Sequence, residues 1–351
     1  MISSDTRFIA RHYTAAHERP VCLTTPDPIQ LSRLHMTILK KTLRRVSWRD
    51  GSASGLRTVW RLGIVIFPVT FVVSVFQYTA AYEFLLSVLA PMMSVFDLPG
   101  EATVPLVLGN LVGLYAGIGA MLAMELTVKE VFTLAVMLGF SHMLPVEAAV
   151  CRRVGVSAAL VVSTRLALSV AAGVAVGYFW DGGGEVARYG LVAPGEGVPD
   201  GWVEVSVNAG WTAGVGILQL ALVVIPVMFG IQILKDLGAL ERFGNLMRPL
   251  MRPLGIAPRG AVTMAGGLTF GLAFGAGIIM EQAREQKFTR REITLIILFL
   301  SACHAVVEDT LIFVPLGINV LPLLLIRLTV AVVLVVAVAR LWPPDEKETT
   351  A

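Results

Sequence analysis

The sequence predicts an all-α polytopic membrane protein built from two inverted-topology repeats. Each repeat is read as three transmembrane helices plus one glycine-rich re-entrant hairpin, or a fourth helix in its place. Three observations predict this: the hydropathy, an internal duplication, and opposite charge in the equivalent loops of the two copies.

Apolar residues make up 56% of the 351-residue chain and Asp, Glu, Lys and Arg only 15%. Soluble domains carry about 25% charged residues. Mean hydropathy is +0.75. Runs near the ~20 residues needed to cross the hydrocarbon occupy 62–80, 131–150, 155–180, 211–234, 293–316 and 318–341. Two further apolar stretches, 103–124 and 261–281, are glycine-rich. The three cysteines (Cys22, Cys151, Cys303) are widely spaced, so neither a disulfide framework nor a structural zinc site is expected. No GxxxxGK[ST] motif is present, which excludes nucleotide hydrolysis by that route.

The first 58 residues hold ten Lys/Arg against four Asp/Glu, so this tail is expected in the cytoplasm and not to be a cleaved leader. Its stretch from Leu31 to Trp48 mixes apolar residues with Lys40, Lys41, Arg44 and Arg45. That pattern suits a helix lying on the anionic inner leaflet and equally a disordered basic leader. The basic excess belongs to the membrane surface, and nucleic acid is not expected as a partner.

The duplication shows first in the glycines. GNLVGLYAGIGAM (109–121) lies against GLTFGLAFGAGII (267–279). Gly109, Gly113, Gly117 and Gly119 thereby match Gly267, Gly271, Gly275 and Gly277. At the same offset of 158, Pro68 meets Pro226, Glu83 meets Glu241 and Pro91 meets Pro249. After a four-residue insertion the offset becomes 162, pairing Glu130 with Glu292, His142 with His304, Glu147 with Asp309, Arg165 with Arg327 and Trp180 with Trp342. The expected organisation is a basic cytoplasmic tail (1–58), a first repeat (59–180), an extracytoplasmic linker (181–210), a second repeat (211–342) and a short C-terminal tail (343–351).

Loop charge sets the orientation. Segment 82–101 has no basic residue, whereas its counterpart 240–259 carries Arg242, Arg248, Arg252 and Arg259. By the positive-inside rule one lies outside and the other inside, so the copies are inverted. Inversion needs an odd number of crossings per copy. The glycine-rich segments are therefore read as hairpins that enter and leave on one side, glycine permitting the tight turn. A 22-residue segment is also long enough to cross, so the four-helix alternative stays open.

Inside the apolar segments sit two histidines and two arginines, as repeat mates. His142 lies about 17 Å into a helix begun at Val131, and Arg165 about 15 Å into the next, by helical rise. An arginine at that depth costs at least ~2.5–3.5 kcal/mol unless it faces protein or a wet cavity. One reading is a helix-bracing ion pair with Glu147 or Asp309, with Glu308 beside the latter. The other is a ligand site. On a straight helix Glu147 stands roughly 7–9 Å from the level of Arg165. The candidate substrate-binding residues are His142, Glu147, Arg165, His304, Glu308, Asp309, Arg327 and Asn110, the last in the first hairpin. No cofactor is expected. No metal ligand is assigned, because the possible set Cys303, His304 and Glu308 is not repeated in the first copy, which has Ser141 and Val146 instead.

GNLVGLYAGIGAM, SHMLPVEAAV followed by Arg165, and ACHAVVEDT followed by Arg327 resemble the nucleoside-recognition or Gate domain family. That family includes gate regions of concentrative nucleoside and ferrous-iron transporters and the spore maturation A and B membrane proteins. The resemblance covers most of 60–342. It implies a multi-pass protein of a bacterial inner membrane that moves a small polar or anionic solute, nucleoside-like among the candidates, through a midplane site between the repeats. Implied partners are the lipid bilayer, the solute or ion, and optionally a second copy of the chain. No GTPase domain accompanies the gates here. Two alternatives stand beside transport: a non-transporting membrane assembly protein, and a metal-ion permease using His304, Cys303 and Glu308. No Ser/His/Asp or HExxH arrangement supports an enzyme.

Overall fold

A computed structural model describes residues 48–189, 201–271 and 288–343, all within the unit Val46–Ala351. The regular structure among them is helical, with one isolated bridge, Thr127 to Val186. Five helices are long and apolar enough to cross a membrane. A sixth is added if the bent pair Ala80–Phe96 and Gly100–Leu111 is taken as one span.

The first copy runs α1 (Trp48–Phe76), α2 (Ala80–Met93), α3 (Thr103–Leu111), α4 (Leu114–Met121), α5 (Val128–Ser141), α6 (Leu144–Arg153) and α7 (Ala158–Phe179). The second runs α8 (Trp202–Asp236), α9 (Ala239–Met251), α10 (described over 261–271), α11 (Arg290–Ala302), α12 (Glu308–Leu311) and α13 (Val320–Leu341). Among the described residues most elements of one copy have a mate in the other. The short 3-10 turn Gly100–Ala102 has its mate at Pro258–Gly260, and α7 has its mate, of equal length, in α13.

Local capping chemistry is duplicated too. Thr127 with Glu130 and Thr289 with Glu292 form capping boxes that start α5 and α11. Each box satisfies amides at a helix start that has no preceding turn to bond. Ser157 and Asn319, again mates, cap α7 and α13.

Burial sorts the layers. Every residue of α5 from Val131 to Ser141, and of α11 from Arg291 to Ala302, is buried. These two central helices are flanked by α7 and α13, and α1 packs along α8. The outer helices expose large apolar side chains, including Trp60, Phe67, Tyr178, Phe179, Trp202 and Trp211. Apolar surface of that extent suits lipid, with the aromatics near the interfaces. The apolar groove along α1, lined by Leu56, Trp60, Ile64, Phe67 and Ile217, belongs to this face.

Three differences from the sequence reading have local causes. Helix α1 is described from Trp48, so residues 48–58, read as tail, are helical. The segments read as loops, 82–101 and 240–259, are largely the helices α2 and α9. In α9, Gly244, Met247 and Met251 are buried while Arg242 and Arg248 are exposed, the spacing of a helix with one buried face. The apolar runs 131–150 and 293–316 are each interrupted: at His142–Met143, and between Cys303 and Val307. Pro145, in the first turn of α6, cannot donate to the carbonyl of Ser141, which ends α5 there.

The first glycine-rich segment folds back on itself. Gly113, at φ 148, separates α3 from α4. A Cβ on Gly117 would stand 3.0 Å from the Pro105 carbonyl oxygen and 3.2 Å from Gly109 Cα, so the two arms touch through glycine. Gly119 lies equally close to Ile66 of α1. In the second copy its mate Gly271 also has a positive φ, 80°, while Gly275 and Gly277 lie outside the described residues. Gly117→Val should lower stability by about 1–3 kcal/mol through overpacking. Gly214→Ala, where an added Cβ meets nothing within 4 Å, should leave it unchanged or raised by about 0.5–1 kcal/mol. Thermal melts in detergent compare the two.

Candidate functional site

The site forms where both central helices break. Met143 (φ 56) and Ala305 (φ 42) are repeat mates, and both take the left-handed conformation, at a cost of roughly 1–2 kcal/mol each for a residue with a Cβ. The same contact holds each break. Met143 N–H donates to the Gly109 carbonyl (2.9 Å) and Ala305 N–H to the Gly267 carbonyl (3.2 Å). The glycine-rich segment of each half is thereby fastened to the break of that half. Val306 N–H adds a bond to Leu268 (2.8 Å).

A broken helix leaves carbonyls without their usual partners, and the arginines take them. Arg165 Nε donates to the Phe140 carbonyl at 2.6 Å, and Arg327 Nη2 to the His304 carbonyl at 3.1 Å. Each guanidinium also pairs with the carboxylate of its own half: Arg165 Nη1 with Glu147 Oε2, and Arg327 Nη2 with Asp309 Oδ2 at 3.3 Å. The expectation that Glu147 lies 7–9 Å away in depth assumed an unbroken helix. The break and the reach of the arginine stem close that gap. Arg165 and Arg327 are buried to 0% and 1% exposure, so each charge depends on its carboxylate.

The halves meet through the histidines. His304 Nε2 lies 3.2 Å from Glu147 Oε1, in the other half, and 3.6 Å from Asp309 Oδ2. His142 Nε2 lies 3.7 Å from Asp309 Oδ2, again across the halves. The two rings stand 5.1 Å apart. Gly139 of α5 leaves room for Arg327, whose Cδ would be 3.1 Å from a Cβ there. Six of the eight candidate residues, His142, Glu147, Arg165, His304, Asp309 and Arg327, therefore form one cluster closed to solvent.

The other two stand apart from those pairings. Glu308 accepts the Tyr115 O–H, a contact from the first hairpin to the second half. Asn110 ends α3 beside Gly109, and its Oδ1 is buried without a partner among the described residues. Cys303 is buried, but the set Cys303, His304 and Glu308 is not brought together. The ligand atoms that do converge, within 4.8 Å of one another, belong to His142, Glu147 and His304. Tyr115 was not singled out from sequence. A signal was present, because Tyr115 faces Ala273 and Glu308 faces Val146 in the repeat alignment, so both partners of this contact depart from the duplication.

Not every donor in the cluster is used. Arg165 Nη2 and Arg327 Nε and Nη1 have no hydrogen-bond partner among the described residues, nor has Thr310 Oγ1. A buried guanidinium N–H without an acceptor carries a desolvation cost that an added acceptor would relieve.

Comparison with known proteins follows this geometry. The family model described as Gate, nucleoside recognition, matches residues 59–157 and 217–318, one match in each copy, and each includes the histidine and its carboxylate. The membrane protein YvoD of Bacillus subtilis (strain 168), described as uncharacterized, is 47% identical over 292 residues, covering 83% of this chain and 94% of its own. No solved structure matches the chain.

Removing one partner of a buried pair strands the other charge. Arg165→Met should therefore destabilise by about 3–5 kcal/mol, and Arg165→Met with Glu147→Met should recover most of that loss. A double-mutant cycle of unfolding in detergent measures the coupling.

Proposed function

The chain belongs to the nucleoside-recognition Gate family of membrane proteins, and on that premise we propose that it is a transporter for a small polar or anionic solute. The single observation that carries the reading is the set of unpartnered guanidinium N–H groups on Arg165 and Arg327, buried where the two halves meet. Fixed donors in a water-excluded place select an acceptor-rich solute: a nucleoside, whose base and ribose carry acceptors, or a small anion.

Three further features support transport over simple bracing. Broken helices at corresponding positions of two repeats are the usual pointer to a transporter's binding site. The breaks are held by hairpins rather than by continuous helix, so each half can move as a unit about the site. The cluster is sealed in the conformation described, as alternating access requires of an occluded state.

In the same reading the copies are inverted. The hairpins re-enter, Arg152, Arg153 and the arginines of α9 face the cytoplasm with the N-terminus, and the membrane is a bacterial inner membrane. With no nucleotide-hydrolysing motif in the sequence, an ion gradient supplies the drive, and the buried histidines are the groups suited to carry a proton. No enzymatic reaction is assigned.

A non-transporting assembly protein is the second reading, favoured by one observation: each arginine already has a carboxylate in its own half, so the cluster can brace the bundle with no ligand. Uptake into proteoliposomes separates the two. In a transporter, Arg327→Lys and Arg165→Lys each lower uptake on the order of 10- to 100-fold, the worth of a hydrogen bond to a charged group, and loss of residues 1–47 leaves uptake intact. Full uptake by both arginine variants removes the cluster from the mechanism. A screen of nucleosides, anionic metabolites and divalent metals names the solute.

A further inference from the structure

We infer that His142, His304 and Glu147 form a transition-metal site shared between the two halves, with Asp309 beside it and a zinc-class divalent cation as its occupant. The inference stands on ligand geometry and does not depend on the transport reading.

The first step is the tautomer. His142 Nδ1 lies 2.6 Å from the Leu138 carbonyl and His304 Nδ1 lies 2.8 Å from the Leu300 carbonyl. A carbonyl oxygen only accepts, so in both rings Nδ1 carries the hydrogen. In the neutral ring each Nε2 then turns a lone pair into the cluster. This arrangement, an imidazole held at one nitrogen by a backbone carbonyl, orients metal-ligating histidines.

The second step is what those lone pairs face. The neighbouring atoms are carboxylate oxygens, at 3.2, 3.6 and 3.7 Å. Acceptors set against acceptors repel unless something positive lies between them. A bridging proton would draw such a pair to about 2.7–2.9 Å, the length of a charge-assisted hydrogen bond. Around a tetrahedral zinc, with bonds of about 2.0–2.1 Å, ligand atoms stand about 3.3 Å from one another. The His304–Glu147 separation of 3.2 Å is close to that ligand spacing, and those to Asp309, 3.6 and 3.7 Å, are too long for a shared proton.

The third step is the donor set. Two imidazoles and a carboxylate suit zinc, iron or manganese and are a poor cage for magnesium or calcium. Glu147 offers Oε1 inward because Oε2 is held by Arg165, and such outer contacts fix a ligating carboxylate. The two arginines balance the two carboxylates, so the ion adds charge. Glu308, next to Asp309 in sequence and bonded to Tyr115, supplies a further carboxylate that offsets part of it. The first half contributes His142 and Glu147, and the second contributes His304. A bound ion therefore ties the halves together and favours the closed conformation.

The test is a titration of the purified full-length chain in detergent, stripped with chelator, with CoCl2 and with ZnCl2. The expected result is one ion per chain and a tetrahedral Co2+ ligand-field spectrum with no thiolate charge-transfer band. His142→Ala and His304→Ala should each weaken binding at least tenfold. Cys303→Ser, and a variant with His12, His17 and His35 all changed to Ala, should bind as the unmodified chain does. Absence of stoichiometric binding by the unmodified chain overturns the proposal. So does a thiolate band, or binding that survives His142→Ala combined with His304→Ala. The unmodified chain carries the primary readout, so a variant that fails to fold does not remove the test. The titration reads no transport, so this inference and the proposed function can fail independently.

Discussion

The rest of this molecule depends on two guanidinium–carboxylate pairs buried at helix breaks. An arginine with 0% or 1% exposure is tolerated only where its charge and its N–H groups are met, since the cost of a stranded charge exceeds any packing gain at that position. Glu147 and Asp309 meet the charge, and the carbonyls of Phe140 and His304 meet part of the hydrogen bonding. Those carbonyls are free only because the helices are interrupted. The breaks and the arginines therefore require each other: without the break the guanidinium lacks acceptors, and without the guanidinium the freed carbonyls would be buried and unmet.

The glycine hairpins fit into the same scheme. Met143 and Ala305 adopt a left-handed backbone that a side chain disfavours, and each is held there by a bond to a hairpin glycine carbonyl. Close approach of the arms needs the missing side chain of Gly117, which lies against Gly109 and Pro105. Strain of this kind persists when the surroundings over-determine it and is commonly found where proteins bind or move something. Here it is duplicated at matching positions, so the same device sits on both sides of one cluster.

Symmetry and its violation carry different information. Within each half the arginine pairs with its own carboxylate, which a single copy could do alone. The histidines instead approach carboxylates of the opposite half, and Tyr115 reaches Glu308 across the same boundary. The first kind of contact holds a half together. The second kind joins the halves, and it is the kind a change of conformation would have to rearrange. Tyr115 and Glu308 have no counterparts in the duplicated pattern, so the two sides of the cluster are not equivalent.

How much of this was legible in sequence differs by feature. Hydropathy, the duplication and the pairing of His142 with His304 and Arg165 with Arg327 were all readable, because the length of an apolar run and the identity of residues at a fixed offset are properties of the chain itself. The hairpin turn at Gly113 was readable for the same reason, since only glycine adopts that backbone cheaply. Family membership rested on the same residues. Pro145 was a sequence signal for the break at His142–Met143, but the break at Cys303–Val307 has no proline at the matching position and was not readable. The pairing of Arg165 with Glu147 was one of two open readings, with an offset of roughly 7–9 Å on a straight helix that the break removes. Sequence by itself thus determined a membrane protein of two matched halves with buried histidines and arginines. Only the tertiary structure decided that these residues form one cluster, with each histidine facing the opposite half, because residues 162 positions apart meet through packing that no local pattern encodes.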